Sequence, residues 1–67
     1  MCESSAWLLR GEDDEELLLE DVILLKPAGS GFVLTNILGE KKEIEAELDR
    51  IDLLHHRILL KPAGRKG

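Results

Sequence analysis

Apolar residues in this chain come in short runs, each closed by a polar or glycine-containing break. Ser5 to Arg10 (S-A-W-L-L-R) predicts a first strand, and Gly11-Glu12-Asp13-Asp14 a turn. Glu16 to Leu19 predicts a short second strand, interrupted by Glu20-Asp21. Val22 to Lys26 (V-I-L-L-K) predicts a third. Pro27-Ala28-Gly29-Ser30-Gly31 carries strong turn chemistry, and Phe32 to Ile37 (F-V-L-T-N-I) is rich in β-formers. Gly39-Glu40 marks the next turn.

Residues 41–54 carry two patterns at once. Ile44, Leu48 and Ile51 recur at helical spacings of four and three. Ile44, Ala46 and Leu48 also alternate with period two, as do Ile51 and Leu53. A strand reading needs a bulge between Leu48 and Ile51. Locally the two readings are even. The strands on either side, joined by tight turns, favour strand. His55-His56 then reads as a hairpin turn leading into Arg57 to Lys61.

The segment Leu24-Leu25-Lys26-Pro27-Ala28-Gly29 recurs as Leu59-Leu60-Lys61-Pro62-Ala63-Gly64. Two strands ending in the same kind of turn account for it, because proline cannot continue a central ladder. Five to seven short strands with turn signals about every 8–12 residues predict an all-β sandwich or barrel. The whole chain, residues 1–67, reads as one domain, with residues 64–67 a frayed tail.

Length changes the picture. A 67-residue chain buries only roughly 60% of the surface its unfolded form exposes, so a staple, a metal or a second subunit is expected. One cysteine cannot form an internal disulfide. The aromatics are Trp7 and Phe32, so the core is aliphatic.

A net charge of −5 and few aromatic platforms argue against nucleic-acid binding. No apolar run approaches a membrane span, and the N-terminus lacks the pattern of a secretory signal. A lone thiol fits a reducing compartment, so the cytoplasm is expected. Ser4, Ser5 and Ser30 have no recognisable base and orienter, and the acidic residues carry no catalytic motif, which argues against an enzyme. The acidic run Glu12 to Glu16 reads as a solvated hairpin tip, since it lacks the spaced ligands of a calcium loop.

Cys2 is the one soft ligand. Removal of Met1 would put an α-amine and a thiol on the same residue, able to close a chelate ring around one metal ion. Thiolate with nitrogen donors in a plane suits divalent nickel or copper, whereas zinc prefers a tetrahedral site. The nitrogen could be the α-amine or the backbone nitrogen. Set against this, a solitary cysteine is more often an inert thiol. His55 and His56 could offer a weak second site, but adjacent strand residues point to opposite faces, and a solvated turn pair is the simpler reading.

Met1-Cys2-Glu3-Ser4, Glu20-Asp21-Val22, Leu34-Thr35-Asn36-Ile37 followed by Gly39-Glu40, and Ile51-Asp52-Leu53 with His56 together resemble the CooT family, from Met1 to about Lys61. The resemblance implies a small antiparallel β-barrel of the Src-homology-3 type and a homodimer. It implies one Ni(II) ion shared between two copies of Cys2. It also implies a metallochaperone role for nickel-containing carbon monoxide dehydrogenase and its maturation proteins. The alternative is a small-barrel module that binds RNA or protein without metal.

Overall fold

The computed structural model describes residues 4–63. Cys2 and the tail at 64–67 lie outside them. Six strands follow in chain order: β1 (Ser4–Gly11), β2 (Asp14–Ala28), β3 (Gly31–Asn36), β4 (Lys41–Ile44), β5 (Ala46–Asp52) and β6 (Arg57–Pro62). They form one curled, half-barrel sheet in the order β4-β3-β2-β1-β6-β5. The all-β barrel expectation holds, and the described residues contain no helix.

The topology forces the curl. β4 and β5 occupy opposite edges of the sheet, yet only Glu45 separates them in sequence. A flat six-stranded sheet would hold its edges several strand spacings of about 4.8 Å apart, which one residue cannot span. The connection is a corner and not a hairpin. Strand direction reverses at each of the first three links and again between β5 and β6, but not at Glu45. That missing reversal brings β6 back parallel to β1, the one departure from an antiparallel barrel.

Bulges supply the bending. β2 was expected as two strands split at Glu20-Asp21; it is one strand that serves two partners in succession. Its first half pairs with β1 and its second with β3. Register shifts fall at Ser4/Ala6, Ala6/Trp7 and Val22/Leu24, each adding residues to β2 and increasing its twist. Asp21 takes φ 57°, a left-handed conformation that a short polar side chain tolerates. Its break therefore kinks the strand without ending it.

Segment 41–54 resolves to two strands, with the bulge where alternation slipped: Leu48 pairs with Leu60 and Arg50 with Leu59, leaving Asp49 over. Pro27 and Pro62 were expected to end their strands; β6 does end at Pro62, whereas β2 runs one residue past Pro27 to Ala28. Among the described residues, β2 beyond Val22 has only β3 beside it, and β6 beyond Leu60 has only β5. A one-sided strand end tolerates a missing N–H, which explains why the same six-residue segment appears twice.

The core is aliphatic: Ala6, Leu18, Val22, Leu34, Ala46, Ile58 and Leu60 form the buried cluster, with Leu8, Leu19, Leu25, Phe32 and Ile44 packed on it. Leu59 is buried too, level with Trp7 across the parallel pair. Trp7 donates its indole N–H to Ser5 Oγ at 3.0 Å. The Arg57 guanidinium lies 5.1 Å from the ring centroid and also pairs with Glu15.

Gly31 guards the corner. A Cβ there would stand 1.9 Å from the Ile44 carbonyl oxygen and 2.7 Å from Glu45 Cα, both backbone atoms. Gly11 offers the contrast, since its Cβ would meet only Asp14 Cβ at 3.8 Å. Gly31→Ala is expected to lose about 1–3 kcal/mol in urea unfolding, as overpacked sites do. Gly11→Ala should stay within about 0.5 kcal/mol of the parent. Equal stability of the two variants would contradict the corner constraint.

Candidate metal centre

The start of β1 sits between two turns. Ser5 N–H donates to the His56 carbonyl at 3.0 Å, tying the β5–β6 turn to the strand. On the other side Ser4 pairs with Val22. Next to Val22, the Asp21 carbonyl accepts the Ile37 N–H at 2.9 Å, tying in the β3–β4 turn. Ser4, Ser5, Glu20 and Asp21 line a shallow polar notch between them. Cys2 lies two residues upstream of Ser4 in sequence.

The two turns are built alike. In the first, Asn36 is buried, and its Oδ1 accepts the N–H groups of Leu38 (3.1 Å) and Glu40 (2.8 Å). Its amide donates to Glu40 Oε1 at 2.7 Å, and Gly39 supplies a positive φ of 85°. In the second, Asp52 Oδ1 accepts the N–H groups of Leu54 and His55, each at 3.1 Å. Side-chain caps of this kind replace the backbone ladder where it stops. Each cap is followed by two aliphatic residues, Ile37-Leu38 and Leu53-Leu54. These are 60%, 77%, 80% and 80% exposed. Both turns thus leave large aliphatic side chains open to solvent.

His55 and His56 do occupy a turn, as expected. Their roles differ. His56, at φ 58°, contributes its backbone carbonyl to β1. His55 places Nδ1 2.8 Å from Asp52 Oδ2, with the imidazole 65% exposed. The hydrogen bond from the His55 side chain, helped by that from its backbone N–H, holds the Asp52 carboxyl below the usual aspartate range. The Asp52–His55 pairing was not foreseen. Its one sequence signal is the three-residue spacing across a turn.

The acidic tip behaves as a solvated face. Glu16 pairs with Arg10 at 2.8 Å and Glu15 with Arg57. Among the described residues no group of three or more His, Cys, Asp or Glu side chains converges as a metal cage. Among the same residues no helix is long and apolar enough to cross a membrane.

Residues 1–61 match the family described as CO dehydrogenase accessory protein CooT. An uncharacterised protein of Methanothermobacter thermautotrophicus is 42% identical over 60 residues, 90% of this chain and 88% of that protein. One from Methanocaldococcus jannaschii is 33% identical over 45 residues, 67% of this chain and 79% of its own length. A crystal structure assigned to CooT from Carboxydothermus hydrogenoformans superposes with a TM-score of 0.83 at 46% identity, covering 91% of this chain and 97% of that one. With its curled six-stranded sheet and a match spanning nearly every residue, the chain belongs to the CooT family of carbon monoxide dehydrogenase accessory proteins.

Proposed function

We propose that this protein is a metallochaperone that carries Ni(II) on Cys2 at the interface of a homodimer. It would work in the reducing cytoplasm during maturation of nickel-containing carbon monoxide dehydrogenase. The observation that carries the reading is the pair of capped aliphatic turns flanking the start of β1. A second copy covering Ile37, Leu38, Leu53 and Leu54 would pack at the end of the sheet where the N-terminal segment joins it.

A two-fold interface sets each residue against its own copy, so one cysteine per chain yields two thiolates near the axis. Each Cys2 adds a nitrogen, and two sulfurs with two nitrogens suit planar nickel. Nickel is cargo in this scheme. The protein's part is to present a deprotonated thiolate and to exclude water from the pair. Coordination competes with protons for sulfur, so affinity falls as pH drops.

Two measurements test the reading. Titration of the parent with nickel in the presence of competing zinc is expected to reach one nickel per dimer. Cys2→Ser should abolish both tight binding and the thiolate-to-metal absorption. Parent-like nickel affinity in that variant would refute the cysteine assignment. Separately, the double change Leu53→Ser and Leu54→Ser should weaken dimerisation at least tenfold in sedimentation. Each aliphatic side chain removed from an interface costs about 1.5–3 kcal/mol, and 1.4 kcal/mol is tenfold. An unchanged dimer would place the interface elsewhere.

A further inference from the structure

We draw no further inference here: the strongest candidate, the open cavity of about 390 Å³ beside the Glu45 corner, lined by Phe32, Val33 and Ile44 and by the exposed Glu43 and Glu45, carries none because nothing in the structure shows what covers it.

Discussion

The corner at Glu45 is the constraint from which the rest of the structure follows. One residue joins strands that belong to opposite edges of a six-stranded sheet. The sheet can satisfy that link only by curling until its edges approach. Curling creates the concave face on which Leu34, Leu60, Ala6 and Ala46 are buried. It also fixes the parity of strand directions, and so makes β6 parallel to β1. Small residues permit the curl: Gly31 lets two backbones pass at the corner, and Ala46 is buried just beyond it.

The same curl brings two distant turns to the region where β1 begins. Neither the β3–β4 turn nor the β5–β6 turn is near β1 in sequence. The β5–β6 turn reaches the first residues of β1 through Ser5 N–H to His56 C=O, and the β3–β4 turn reaches the neighbouring β2 through Ile37 N–H to Asp21 C=O. The kink at Asp21 links the two sets. It bends β2 from one partner to the next and presents its carbonyl to the turn. Side-chain caps at Asn36 and Asp52 then satisfy backbone N–H groups in both turns.

Much of this architecture was legible in the sequence, for identifiable reasons. Turn chemistry at Gly11 to Asp14, at Pro27 to Gly31 and at Gly39-Glu40 located three strand connections, because glycine and aspartate tolerate the backbone conformations that tight turns need. The split of 41–54 was visible as a slip in alternation and became the bulge at Asp49. What stayed hidden depends on partners. Pro27 looks like a strand end until β2 is known to have one neighbour there. Glu20-Asp21 looks like a break until bulges are known to carry the strand through it. Cys2 was named as a ligand from its position in the sequence alone, and it lies outside the described residues. The part played by Asp52 was not legible, since a carboxylate three residues before a histidine acquires meaning only when a turn closes between them.

Sharing a cargo site between two copies has a thermodynamic consequence. A domain of this size has little core to spare, and the four turn-tip aliphatics lie outside it. Covering them would extend the apolar core across the two-fold axis. In the proposed scheme a metal bridging the two copies of Cys2 would bind the pair and not the separate chains, so occupancy would stabilise association and association would raise affinity by the same factor. In that scheme anything that prised the turns apart would lower nickel affinity without touching the ligands. A client surface competing for Leu53 and Leu54 would thus release the metal where it is needed, using only the coupling between pairing and coordination.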